Sequence, residues 1–113
     1  MDRAAGTRRE GGAAETVARV VYSPNALANL ERAFAFLADD GPEAALAAVE
    51  AIRTAVEMLE YHPLMGRIVT ADLRELVISF GHTGYVALYR FVASRDHVRI
   101  LAFRHQRELD YPA

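Results

Sequence analysis

A chain of 113 residues, 52% of them apolar, has the length of one domain and enough apolar surface to bury a core. The absence of cysteine excludes a disulfide framework and thiolate metal sites and suits a reducing cytoplasm, while no signal-peptide stretch and no run approaching about 20 apolar residues points to secretion or a membrane span. The net charge of −2 hides an asymmetry: residues 17–65 carry three arginines against seven acids, residues 66–113 seven arginines against five acids, and no basic residue is a lysine, so the second half can offer a locally basic face to nucleic acid or an acidic peptide.

In chain order, residues 1–16 (MDRAAGTRREGGAAET) are polar, rich in Gly and Ala and without period. They read as a flexible tail, or as a start codon assigned too early, ahead of a folded domain at 17–113. The β-branched run from Ala18 to Tyr22 predicts a short strand. Ser23 then supplies a helix N-cap and Pro24 a first-turn proline. Leu27, Leu30, Phe34 and Leu37 recur at spacings of three and four, which predicts an amphipathic helix over 24–38 that stops at Asp39-Asp40-Gly41. Pro42 opens a second helix over 42–61, with Leu46, Val49, Ile52, Val56 and Leu59 as its apolar stripe and Pro63 beyond its end. The short break implies an antiparallel helical hairpin whose two stripes need a surface to cover.

That surface follows in three β-rich runs, 73–80, 85–92 and 97–103, separated by GHTG and by Ala93 to Asp96. With the first strand joining at a distance, the order is β-α-α-β-β-β and the class is α+β: a helical hairpin packed on an antiparallel, four-stranded sheet. Such a layer leaves a groove and sheet edges open to a partner chain, which could dock by apolar anchoring and strand addition.

Generic catalytic motifs are missing: there is no P-loop, dinucleotide fingerprint, H-E-x-x-H or nucleophile elbow. The four histidines, at 62, 82, 97 and 105, are too scattered for a metal site, and no cofactor is implied. What remains is a set of polar residues within β-patterned runs: Arg74 and Glu75, Tyr89 and Arg90, then Arg104, His105 and Arg107. An arginine on a strand ordinarily lies on the solvated face, and a strand tyrosine ordinarily packs in the core with its hydroxyl satisfied. Three cationic or titratable groups clustered at the end of the last strand point more strongly to function.

The pieces V-Y-S-P-x-A at 21–26, H-P-L-M-G-R at 62–67, L-R-E-L at 73–76, G-Y-x-x-L-Y-R at 84–90 and I-L-A-F-R-H-x-R at 100–107 occur in an order and at separations that resemble the RelE/ParE superfamily of type II toxins. The likeness is closer to its ParE-like, plasmid-stabilisation branch. It implies a cytoplasmic toxin forming a hetero-oligomer with a cognate antitoxin, and one of two activities: inhibition of DNA gyrase, as in ParE-like members, or cleavage of mRNA on the ribosome, as in RelE-like members. RelE-like enzymes place lysines on the second strand and an arginine after the glycine-tyrosine pair; here no lysine exists, Val86 follows Tyr85, and arginine is too basic to serve as a general base. The resemblance therefore favours gyrase inhibition without nuclease activity, with Arg104, His105, Arg107 and Tyr111 as the target-binding residues. The RNase alternative rests on the spacing of His105 and Tyr111, similar to that of the basic residue and tyrosine of RelE-like enzymes; it would use His105 as base, Arg74 and Arg107 as charge stabilisers and Tyr111 to orient the scissile phosphate. A third reading is a protein-binding module without toxicity, separable from the others by whether a short open reading frame lies just upstream.

Overall fold

The computed structural model describes residues 17–80, 83–108 and 110–112. The tail at 1–16 and the centre of the GHTG turn, with His82, lie outside the described residues. Strand β1 (Arg19–Tyr22) leads into helix α1 (Pro24–Ala38), helix α2 (Pro42–Glu57) and a 3-10 turn (Met58–Glu60), followed by β2 (Arg67–Thr70), β3 (Leu73–Phe80), β4 (Thr83–Val92), a second 3-10 turn (Ala93–Arg95) and β5 (His97–His105). The sheet order is β1-β5-β4-β3-β2, with β1 parallel to β5 and every other pair antiparallel. The helical hairpin covers one face, and the core lies between them, with Ile52, Val56 and Leu59 meeting Leu76, Ile78, Tyr89, Val98 and Ile100.

The class and chain order follow the sequence reading, with three differences. The sheet has five strands rather than four, because Arg67–Thr70 pairs with β3. All four of its residues are exposed, so it carries no alternation, and only the neighbouring strand makes it extended. The second helix is α-helical to Glu57 and tightens to 3-10 geometry over Met58–Glu60. The apolar stripes hold at Leu30, Leu37, Ile52, Val56 and Leu59 but fail at three positions: Leu27, Phe34 and Leu46 are exposed, and Ala26, Ala45 and Ala48 are buried. Alanine lets helix backbones approach their neighbours closely, and that proximity outranks the larger side chains on the adjoining face.

Ser23 fulfils its expected role, its hydroxyl accepting from the Ala26 amide at 3.0 Å. It also donates to the Leu101 carbonyl at 3.1 Å, which Asn25 Nδ2 contacts at the same distance. β1 pairs with β5 only as far as Ile100. Beyond that point the β5 edge is closed by side chains of α1, since Asn29 Oδ1 accepts from the Phe103 amide at 2.9 Å. An otherwise unpaired strand edge is thereby satisfied without another strand.

Tyr89 is fully buried, and its hydroxyl sits under the Pro63–Gly66 loop, accepting from the Gly66 amide at 2.8 Å and donating to the Pro63 carbonyl at 2.8 Å. A Cβ at Gly66 would lie 2.6 Å from the tyrosine ring and 2.7 Å from the Glu75 carbonyl oxygen, so glycine is the residue that fits. Arg74 completes the clamp, donating to the carbonyls of Gly66 at 2.8 Å and Leu64 at 3.1 Å. Tyr89→Phe is expected to lower unfolding stability by about 1–3 kcal/mol, because the Gly66 amide loses its buried acceptor. Gly66→Ala should cost more than Tyr89→Phe. Urea denaturation followed by circular dichroism measures both, and midpoints equal to wild type would refute the clamp.

Candidate functional site

Strand alternation sorts the polar residues onto two faces. On β3, Leu76 and Ile78 face the helices, so Glu75 and Val77 point to the opposite, helix-free face. Arg67 is paired with Glu75 across β2 and β3 and shares that face. On β5, Phe103 belongs to the helix-side core, which places Arg104 on the helix-free face and His105 back on the helix side.

Glu75 is the centre of the helix-free face. It is only 7% exposed, and both carboxylate oxygens are engaged. Oε1 accepts from Arg67 Nη2 at 2.6 Å and from Nε at 3.1 Å, a fork-shaped contact suited to a guanidinium. Oε2 accepts from the Tyr111 hydroxyl at 2.6 Å and has Arg104 Nη2 at 3.7 Å. The Arg104 guanidinium also stands over the Tyr111 ring, 5.2 Å from its centroid, a cation–π placement. Burial by itself would raise the Glu75 pKa, but the hydrogen bonds from Tyr111 and Arg67 and the charges of Arg67 and Arg104 outweigh it and hold the carboxyl below its ordinary value. The Tyr111 phenol is pushed well above its ordinary value by burial and by the hydrogen bond to, and charge of, Glu75.

The sequence-derived candidates divide between this cluster and other places. Arg104 and Tyr111 meet at Glu75. Arg74, on the opposite face of β3, binds the Pro63–Gly66 loop instead. The His105 ring packs edge-on against buried Tyr85, centroids 5.3 Å apart, and its Nδ1 accepts from the Arg107 amide at 3.1 Å. Arg107 is exposed in the turn after β5. From sequence, Glu75 stands among the polar strand residues without a role, and Arg67 only as the last residue of a motif. The alternation of LRELVISF puts Glu75 opposite the core, but its partner Tyr111 lies 36 positions away and no local pattern announces it.

On the helix side, a cleft of about 490 Å³ opens between α1 and the end of the sheet. Leu30, Ala33, Phe36, Tyr85 and Phe103 give it an apolar lining, and Arg32 and Arg107 contribute cationic groups against the single acid Glu108. Phe36 is 71% exposed, an unusual position for so large an apolar side chain. Among the described residues there is no group of three or more His, Cys, Asp or Glu able to hold a metal, and no helix is long and apolar enough to cross a membrane.

Comparison with known proteins gives a consistent picture. Residues 20–110 match the family described as the ParE toxin of the type II toxin-antitoxin system parDE. Toxin RelE3 of Caulobacter vibrioides is 36% identical over 89 residues, covering 79% of this chain and 95% of that protein. Toxin RelE1 of the same organism is 33% identical over 79 residues, covering 70% and 85%. The fold is similar to a chain from the chromosomal ParDE toxin-antitoxin system of P. aeruginosa, with a TM-score of 0.67 at 22% identity over 80% of this chain and 97% of that one. It is also similar to a chain of the RelBE2 toxin-antitoxin complex of Mycobacterium tuberculosis, with a TM-score of 0.57 at 24% identity over 82% and 95%.

The depressed Glu75 pKa makes a pH prediction with a definite sign. A carboxylate whose folded pKa lies below its unfolded value, ordinarily about 4.3, stabilises the fold fully above that value and loses the contribution as pH falls through the folded one. Tyr111→Phe removes one donor to the ionised form. Followed by carbon NMR, Glu75 should therefore titrate at higher pH in that variant than in wild type, and the acid-side fall in Tm should be shallower. A Glu75 titration unmoved by the substitution would show that the phenol does not hold the carboxylate.

Proposed function

The chain belongs to the ParE toxin family of type II toxin-antitoxin systems, and from that premise we propose that it acts in the cytoplasm by binding a protein target, DNA gyrase, through the Arg104–Tyr111 end of the sheet, and that a cognate antitoxin silences it in a hetero-oligomer. The observation that carries this reading is the way the two cations beside Glu75 are engaged. RNA cleavage through the 2′-hydroxyl needs a proton acceptor beside cationic groups that are available to stabilise the phosphorane. Here Arg67 and Arg104 are directed at the Glu75 carboxylate, and Glu75 is held in its ionised, multiply hydrogen-bonded form. His105, the residue suited to proton transfer near neutral pH, is on the other face against Tyr85. Losing even one charge-stabilising group typically slows such a reaction about a hundredfold or more.

The apolar cleft beside α1 supports the antitoxin half of the proposal. An apolar segment with acidic flanks would fill it, burying Phe36 and meeting Arg32 and Arg107. Both similar folds come from toxin-antitoxin systems by name.

The RelE names of the two Caulobacter relatives favour a second reading, ribosome-dependent mRNA cleavage with His105 as base, Arg74 and Arg107 stabilising charge and Tyr111 orienting the phosphate. One expression strain separates the two. Induction should arrest growth with accumulation of gyrase-linked DNA breaks and no cuts in a reporter mRNA by primer extension. Cuts within codons that disappear on His105→Ala, without DNA breaks, would replace the first reading by the second. Co-purified with the product of its neighbouring gene, the chain should elute as a complex on size-exclusion chromatography. Ala33→Arg, which places a charge on the cleft floor, should weaken that complex by about tenfold or more; undiminished affinity would move the antitoxin site elsewhere.

A further inference from the structure

The chain that leaves β5 is tied down at both of its ends by a single side chain. At its start, Arg104 reaches in two directions: Nη2 faces Glu75 at 3.7 Å, and Nη1 donates to the Glu108 carbonyl at 2.8 Å. At its far end, the Tyr111 hydroxyl donates to the same carboxylate at 2.6 Å. Between them the turn is locally ordered, with the Glu108 amide on the His105 carbonyl at 2.9 Å, the Gln106 amide on the Gly84 carbonyl at 3.0 Å and Glu108 Oε1 accepting from the His105 amide at 2.7 Å. Gln106, Arg107, Glu108 and Asp110 are exposed along it.

A buried carboxylate is an expensive way to gain stability, because desolvating it costs free energy that apolar residues of similar volume would not lose. Its advantage is directional: a carboxylate accepts only along its lone pairs, so it fixes where the donors stand. Two of the partners of Glu75 hold the end of the sheet, Arg104 in β5 and Tyr111 in the segment after it, and no described residue of that segment belongs to the helix-side core. Val77, two residues along the same strand and face, is half-exposed, so Glu75 lies beside surface that is not closed over by a second layer.

We propose that Glu75 is the positioning residue of this end of the molecule: by gripping Arg104 and Tyr111 together, it holds the segment after β5 in the conformation that presents Gln106, Arg107 and Glu108 to the protein target. The inference rests on the reading of the Arg104–Tyr111 end as the target-binding surface. It adds a residue that never touches the target, and it separates two activities of the chain. The apolar floor of the antitoxin cleft, Leu30 and Ala33 on the helix side, lies away from Glu75, and only the rim that Arg107 and Glu108 give it shares the presented turn.

The test compares wild type, Glu75→Gln and Tyr111→Phe, the last chosen because it removes one oxygen near the C-terminal end and leaves the core untouched. Amide hydrogen exchange of Gln106, Arg107, Glu108 and Asp110 should accelerate by about tenfold or more in both variants, as expected for the loss of a hydrogen bond to a charged group, with core amides of β4 unchanged. The double variant should show little more than either single change, because both break one latch. Growth arrest should need at least several-fold higher expression, a larger loss than that of affinity for the antitoxin, which keeps the Leu30, Ala33 and Phe36 lining of its cleft. Arg107→Ala should lose toxicity with no change in exchange, which separates presentation from contact. Exchange that is unaltered in Tyr111→Phe overturns the latch. Accelerated exchange with undiminished growth arrest overturns its functional role while leaving the toxin reading intact. A wild-type chain that arrests nothing overturns the toxin reading itself, and with it the presented surface.

Discussion

A carboxylate buried on a sheet face must be answered by donors in well-defined places, or it will take up a proton or disrupt the packing around it. At Glu75 the answering groups come from three distant stretches: Arg67 across the β2–β3 hairpin, Arg104 from the last strand and Tyr111 from the segment after it. The edge strand, the last core strand and the chain's end are thereby referred to one point. β2 in particular has little else to define it, since all of its residues are exposed, and the Arg67 fork on Glu75 fixes the register of that pairing. Two guanidiniums share that one carboxylate, so Arg67 and Arg104 are drawn inward onto Glu75, while Arg99 stands exposed elsewhere on the same face.

The opposite face is organised around β5, which lies between β1 and β4 and is longer than its first neighbour. A strand whose edge is half covered exposes unpaired amides and carbonyls, and such edges invite other chains. Here α1 closes the gap with Ser23, Asn25 and Asn29. The polar residues at the start of an otherwise apolar helix therefore serve the sheet as much as the helix. They also seat α1 at a distance that leaves the cleft between Ala33 and Phe103 open.

Much of this architecture was legible in the residues. Ser23-Pro24 marked the start of α1, Gly41-Pro42 separated the helices, and period-two runs gave the three long strands. β2 was not legible because RIVT is too short and too exposed to carry a pattern, and the stripes of α1 and α2 included Leu27, Phe34 and Leu46 beside the core residues Ile52, Val56 and Leu59 because size dominates a reading by hydropathy. In the packed chain the buried positions go to Ala26, Ala45 and Ala48, whose smallness sets the spacing of the layers. In the candidate site, Arg104 and Tyr111 were found from their place at the end of the last strand. Glu75 was noted but given no role, because a buried ion cluster is defined by contacts between residues far apart in sequence. Arg74 shows the converse: a basic residue in a family-like motif whose side chain serves the backbone of a loop.

The two faces communicate through successive residues of one strand. Phe103 and His105 look into the cleft side, and Arg104 between them looks to Glu75, so nothing more than a strand's alternation separates the surface proposed for the antitoxin from the one proposed for the target. The turn that begins at Gln106 closes one end of both. A segment seated in the cleft against Arg107 and Glu108 would occupy the exposed side of the turn that Glu75 holds from behind. Silencing the toxin then requires no change of fold and no signal relayed across the core. The partner that fills the apolar cleft covers, by the same contact, the residues a target would have to reach. Under this arrangement the rigidity supplied by Glu75 serves both complexes unequally: the apolar cleft gives the antitoxin its own affinity, while a target that meets only the polar turn depends on that turn being ordered before it binds.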